Sequence, residues 1–225
     1  VTTPSTAPDL ISADDLGVST SDNYTADNTP RFNILPAGTA LSTVTGSNGS
    51  VQIVVIDNGT TTVINASYDQ TTGTITPTSG TLPDGSYEIA YRLVDAAGNP
   101  SGNSPSLNVT IDTTVPTAPA AAPDLVAPSD TGSSDTDNKT TDNTPTFTVA
   151  PPQGSDRLVL LVDGVEVPAS YSNGQITPTA PLGDGSHTIS YLYEDAAGNR
   201  SSASGGITVV IDTMAPATPA ISSVA

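Results

Sequence analysis

The sequence predicts an all-β chain folded as two tandem β-sandwiches, and three observations carry that expectation. Gly, Pro, Thr, Ser and Asn are abundant while strong helix formers are few. The chain repeats itself: Pro8-Asp9-Leu10 matches Pro123-Asp124-Leu125, and Asp27-Asn28-Thr29-Pro30 matches Asp142-Asn143-Thr144-Pro145, both at an offset of 115. Later pairs, Asp95-Ala-Ala-Gly-Asn99 with Asp195-Ala-Ala-Gly-Asn199 and Ile111-Asp-Thr113 with Ile211-Asp-Thr213, sit at an offset of 100. A unit of roughly 100 residues is too long for a solenoid repeat and suits a sandwich of about seven strands.

The strands follow from alternation and turn chemistry. In the second copy Asp124–Ala127 is expected as strand A, Thr146–Ala150 as B and Arg157–Asp163 as C. Asp163-Gly164 makes a tight turn into Val165–Pro168, strand D. Gln175–Pro178 gives E, His187–Glu194 gives F and Ile207–Ile211 gives G; in F, Ile189, Tyr191 and Tyr193 share one face. The first copy follows with Val51–Ile56, the Asn58-Gly59 turn, Tyr87–Val94 and Leu107–Ile111. It holds 15 extra residues, most of them in a Gly/Ser/Thr-rich stretch between Ile34 and Val51.

The expected domains are residues 1–116 and 117–225. Between them Thr113–Pro123 is Pro-rich, which favours an extended, semi-rigid connection. Pro4 matches Pro119, and Pro219 opens another such joint, so the sequence reads as an excised piece of a longer array.

Formal charge is −18, with 23 acidic residues against five basic ones. Nucleic acid and anionic membrane surfaces are therefore poor partners. No apolar run is long enough to span a membrane, and the absence of cysteine excludes disulfides and thiolate metal sites. Only Glu88, Glu166 and Glu194 are glutamate; the other twenty acids are aspartate, which suits turns, caps and calcium ligation.

These aspartates cluster in two related stretches, Asp14–Pro30 and Ser129–Pro145, each just ahead of strand B. An up-and-down reading puts the A–B loop, the E–F turn and the end of G at one pole. Asp14, Asp15, Asp22, Asp27, Asp84 and Asp112 would gather there in the first domain, and Asp130, Asp135, Asp137, Asp142, Asp184 and Asp212 in the second. The Asp195–Asn199 loop would face the first set across the joint, and Asp95 with Asn99 occupies the same place in the first copy. Crowded carboxylates repel unless protonated or neutralised, and a cation with six to eight oxygen ligands neutralises them. The complete junction site is expected at the first loop, with Asp112 and Asp195. No EF-hand starts at Asp135, since Thr140 and Thr146 stand where glycine and glutamate are required.

Asp130-Thr-Gly132, Asp137-Asn138, Asp142-Asn-Thr-Pro145, Asp195-Ala-Ala-Gly-Asn199 and Ile211-Asp-Thr-x-x-Pro216 resemble bacterial immunoglobulin-like repeats of giant, type I-secreted, biofilm-associated adhesins. The resemblance implies an extracellular location on a bacterial surface and a seven-stranded Ig-like sandwich in each domain. It also implies Ca²⁺ at or near domain junctions, neighbouring repeats as partners, and a role in extending a distal binding domain away from the cell. Leu16 replaces the threonine of Asp-Thr-Gly and Thr20 stands for Asp135, so the first loop is expected to be weaker or differently arranged. The antibody pattern of paired cysteines and a tryptophan is absent.

No catalytic system is expected. His187, the single histidine, matches Tyr87 at the start of strand F, where sandwiches place a corner residue. Tyr68, Tyr91, Tyr171, Tyr191 and Tyr193 are expected to pack rather than to form a sugar-stacking face. Two alternatives stay open: a ligand-binding module using the Leu35–Ser50 insertion, and an accessory domain of a secreted polysaccharide-degrading enzyme.

Overall fold

The computed structural model describes residues 1–219; residues 220–225, where the end of the second expected domain and the start of the next joint fall, lie outside the described residues. The chain forms two units, Val1–Pro116 with Glu194–Asn199, and Thr117–Tyr193 with the residues from Arg200 onward.

Unit 1 contains β1 (Asp9–Leu10), β2 (Tyr24–Thr25), β3 (Phe32–Asn33), a single helical turn α1 (Ser42–Thr45), β4 (Ser50–Asp57), β5 (Thr60–Asp69), β6 (Thr74–Pro77), β7 (Gly85–Val94) and β8 (Leu107–Ile111). They order as β1-β3-β6-β5-β4-β7-β8-β2. Alternate residues point inward: Val51, Ile53 and Val55 of β4 and Ile89, Tyr91 and Leu93 of β7 meet Leu10, Phe32 and Ile75 from the other layer. Full burial of each such side chain contributes about 1.5–3 kcal/mol.

Unit 2 contains β9 (Asp124–Leu125), β10 (Lys139–Thr140), β11 (Phe147–Thr148), β12 (Arg157–Val162), β13 (Val165–Val167), β14 (Ala169–Ser172), β15 (Gln175–Pro178), β16 (Gly185–Glu194) and β17 (Ile207–Ile211). One sheet runs β10-β17-β16-β12-β13 and the other β14-β15-β11-β9. Phe147 and Ile176 from one sheet and Leu160, Ile189, Tyr191 and Val209 from the other close the core.

The expected strands C, E, F and G of the second copy are present, with strand A shorter than expected at one end and strand B at both. Strand D ends at Val167 because Pro168 has no N–H to extend the ladder, and a further strand, β14, continues in the opposite sheet. In unit 1 Asn65 takes the place of Pro168 and β5 runs unbroken, pairing with both β4 and β6. The Gln52 amide donates to Asn65 Oδ1 at 2.9 Å across this ladder. The stretch between Ile34 and Val51 that carries most of the extra residues, expected as plain loop, folds α1 into the first core through Leu41 and Val44.

Neither A–B segment is loop throughout. β2 pairs in parallel with β8, and β10 pairs in parallel with β17. This holds each A–B loop against the end of strand G. The E–F turn joins it: Leu82 N–H donates to Asn28 O at 2.9 Å, and Leu182 N–H to Asn143 O at 2.8 Å.

Tyr87 and His187 make the corner expected of them. The Tyr87 hydroxyl donates to Pro83 O at 2.8 Å, and His187 Nε2 reaches Gly183 O at 3.0 Å. Tyr91, Tyr191 and Tyr193 are buried core residues, whereas Tyr68 is half-buried and Tyr171 exposed.

Candidate metal centre

In both units one aspartate of the A–B loop is drawn inward. Asp130 N–H bonds Val126 O at 3.0 Å, which turns the chain and aims the carboxyl at the interior of its own loop. Its Oδ2 accepts the Asn138 N–H at 3.1 Å, with Asn138 in the left-handed region at φ 56°. Asp15 repeats the arrangement: Asp15 N–H bonds Ile11 O at 3.0 Å, and Oδ2 accepts Asn23 N–H at 3.4 Å, with Asn23 at φ 60°. Both residues are buried, with 1% of Asp15 and 4% of Asp130 exposed. In each, Oδ1 is buried without a hydrogen-bond partner.

Each carboxyl opens on a polar hollow. Asp124, Asp135, Thr136 and Asn138 line the one beside Asp130, of about 380 Å³. Asp9, Thr20, Ser21 and Asn23 line the one beside Asp15, of about 310 Å³. A buried carboxylate oxygen without a donor is costly. Burial pushes the Asp15 carboxyl above the usual carboxylate range, the Asn23 N–H opposes this, and the nearby Asp22 charge adds to the rise.

The remaining predicted ligands are mostly engaged in their own turns. Asp14 accepts Arg31 Nε at 3.0 Å and NH2 at 2.5 Å, with the Arg31 backbone N–H at 2.8 Å. Asp27 and Asp142 bond the N–H groups of Thr29 and Thr144, and Asp22 and Asp137 those of Tyr24 and Lys139. Asp84 accepts Thr113 N–H at 2.9 Å and both nearby Thr hydroxyls, and Asp184 binds Thr213 likewise; these donors hold the Asp84 carboxyl below its usual range. Asp112 and Asp212 accept Thr114 and Met214 N–H. Asp95 and Asp195 close their own loops on Asn99 and Asn199, and Asp95 is held low by that amide and the backbone around it. Asp135 also lines the hollow, and among the described residues its side chain makes no hydrogen bond or ion pair.

Among the described residues no three His, Cys, Asp or Glu side chains gather closely enough to hold a metal ion. A cation at Asp130 would therefore draw most of its oxygens from amide, hydroxyl and backbone groups and from water. The orphaned oxygens fit a hard, oxygen-seeking ion, because such an ion satisfies a buried anion that no N–H reaches.

Comparison with known proteins bears on the architecture. The model of the bacterial Ig-like domain matches residues 2–113 and again 117–213. The chain belongs to the bacterial Ig-like domain family. These two Ig-like repeats resemble the FN1–FN3 domains of chicken CNTN1 at 11% identity, covering 93% of this chain and 68% of that one with a TM-score of 0.55. They also match fibronectin(III)-like modules of Clostridium thermocellum CbhA (17% identity, 84% of this chain, 87% of that, TM-score 0.45). A third match is a 1.5-MDa bacterial ice-binding adhesin (15%, 94% and 65%, TM-score 0.36). The CNTN1 likeness shows the sandwich fold. No curated protein matches the chain in sequence.

What reading the sequence missed in these Ig-like repeats is the pairing inside the first loop. Asp14 and Arg31 stand where the second repeat has Ser129 and Thr146, and there Ser129 Oγ donates to Asp142 and accepts Thr146 N–H. The paired change, acid with base against hydroxyl with hydroxyl, was the available signal. Among the described residues no helix is long and apolar enough to cross a membrane.

Proposed function

We propose that the chain is a pair of extender repeats from a bacterial surface adhesin, stiffened by Ca²⁺ and serving to project a distal adhesive domain in cell adhesion and biofilm formation. One observation supports this reading above the rest: the same buried carboxylate oxygen, on Asp15 and on Asp130, lacks a donor at the same place in two repeats. A single such oxygen is an accident of packing; its recurrence beside a polar hollow is a feature of the repeat.

Ca²⁺ would supply the positive charge that lets these carboxyls stay ionised while buried. Asp130, Asp135 and Asn138 would hold it in the second repeat, and Asp15 and Asn23 in the first. Each A–B loop is tied by its parallel strand to the end of strand G, where the chain runs into the Pro-rich joint. Order imposed on the loop is thereby passed to the residues that leave the repeat. With a Kd of about 10⁻⁴ M, ~1 mM Ca²⁺ contributes about 1.4 kcal/mol per site.

The test is thermal unfolding and small-angle scattering with Ca²⁺ and with chelator, on the wild type, Asp15→Asn and Asp130→Asn. The wild type is expected to melt higher and scatter as a more extended particle with Ca²⁺. Each variant should equal or exceed the wild type in chelator, since its charge no longer needs a partner, and should lose its share of the Ca²⁺ response. Identical melting and scattering of the wild type in both conditions would end the proposal.

A further inference from the structure

The outer face of the first repeat carries a groove whose lining residues the second repeats only in part. β4, β7, β8 and β2 are neighbours, and their registers set Ile56 beside Glu88, Glu88 beside Asn108, and both Ser86 and Tyr24 beside Thr110. These residues, with Asn58 of the β4–β5 turn, line a hollow of about 460 Å³ open to solvent. Tyr24 leaves 41% of its surface exposed. Among the described residues its hydroxyl and the Asn108 amide make no hydrogen bond, and Glu88 engages only one oxygen, which accepts Ser106 Oγ at 3.1 Å.

None of this is required by the sandwich. In the second repeat Lys139 replaces Tyr24, Thr188 replaces Glu88, Thr208 replaces Asn108 and Val210 replaces Thr110. There Lys139 pairs with Asp137 at 3.6 Å, and His187 with Asp163 at 2.9 Å. The two repeats share a core and differ on this face. In the first, an exposed ring shares the hollow with an amide that, among the described residues, makes no hydrogen bond and with a carboxylate that uses one oxygen only, on Ser106.

We infer that this face binds a neutral oligosaccharide. A tyrosine ring offers a flat apolar body to the C–H face of a sugar and a hydroxyl at its tip. Asn108 supplies both a donor and an acceptor, and the free Glu88 oxygen accepts from a pair of vicinal hydroxyls. Open, shallow and polar, the groove suits an extended chain of sugars better than a compact apolar ligand. Its carboxylate, on a chain of net charge −18, excludes uronic acids and other anionic sugars. Asp22 and Asn23, which adjoin the buried Asp15 carboxyl, also line this hollow, so sugar binding is measured in chelator to keep it apart from any Ca²⁺ effect.

The test is a titration of the isotope-labelled two-repeat chain, in chelator, with cellohexaose, mannohexaose, chitohexaose and polygalacturonate, followed by NMR amide shifts. At least one neutral hexasaccharide is expected to move the amides of Tyr24, Glu88 and Asn108 with a Kd on the order of 1 mM, leaving Lys139 and Thr208 still. Tyr24→Ala and Asn108→Ala should each weaken it about tenfold or more with unchanged melting, because both side chains are exposed. The inference falls if no neutral sugar moves these amides up to about 10 mM, a concentration well above that Kd. It falls equally if both variants bind as the wild type does, or if polygalacturonate binds as well.

Discussion

Replacing Arg31 by threonine removes the Asp14–Arg31 ion pair of the first A–B loop. Asp14 is 4% exposed and accepts the guanidinium at 3.0 and 2.5 Å, while the Arg31 side chain is 45% exposed. Losing a partner from a fully buried pair costs about 3–5 kcal/mol, and surface pairs are worth about 0–1. With one partner buried and the other half in water, Arg31→Thr should cost about 2 kcal/mol. The Arg31 backbone N–H still serves Asp14, which keeps the loss below the buried limit. At roughly 4 °C per kcal/mol for a domain near this size, melting of the first repeat should fall by about 8 °C. The second repeat has already solved the same position with Ser129 and Thr146. Asp14→Ser added to Arg31→Thr should therefore restore most of the loss, giving a coupling energy above about 1 kcal/mol in urea unfolding of the four corners of the cycle. A single-variant cost under about 0.5 kcal/mol, or a double variant no better than Arg31→Thr alone, would refute the assignment of a buried, guanidinium-dependent carboxylate.

Two further outcomes follow from local geometry. His187 presents both ring nitrogens to acceptors, Nδ1 to Asp163 Oδ2 at 2.9 Å and Nε2 to Gly183 O at 3.0 Å, so the corner is best satisfied by the imidazolium. The hydrogen bond to Asp163 and then that to Gly183 raise its pKa above 6.5; this stability is fully present below pH 6.5 and is lost as pH rises through the raised value. His187→Tyr, which installs the corner of the first repeat, should flatten that pH dependence in denaturant titrations from pH 5 to pH 9. Gly73 lies at φ 79° with the Leu35 carbonyl oxygen 2.0 Å from where a Cβ would stand, whereas Gly174, its counterpart at φ 76°, has Val149 O no nearer than 3.9 Å. Gly73→Ala should cost more than about 2 kcal/mol in urea unfolding and Gly174→Ala about 1 kcal/mol; equal costs would contradict the close approach.

The fold was legible where burial and alternation act together. Strands β8 and β17 begin and end where the sequence places them, because Leu107–Ile111 and Ile207–Ile211 alternate and are bounded by turn residues. The parallel strands β2 and β10 were not legible: Tyr24-Thr25 and Lys139-Thr140 are two residues each, polar, and set by partners some 70 or more positions away. α1 was hidden in a Ser/Thr-rich stretch whose propensities are poor, since Leu41 and Val44 hold it by tertiary packing. The aspartates were visible as a set, but their individual fates depend on which N–H groups each loop aims at them. Asp27 and Asp142 carry the sequence mark of a turn in the threonine two residues on. Nothing local distinguishes Asp15 and Asp130, whose burial comes from the path of the whole loop.

The parallel pairing of β2 with β8 has a mechanical consequence. β2 lies near the start of its repeat and β8 at the end, and both run the same way. Tension applied through the two termini draws these strands past each other along their axes, so the bonds from Thr110 N–H to Asn23 O and from Asp112 N–H to Thr25 O are strained together instead of being peeled open one after another. β10 and β17 repeat the arrangement with Val210, Asn138, Asp212 and Thr140. Under pull each repeat resists by shear, a geometry suited to a tether held at both ends.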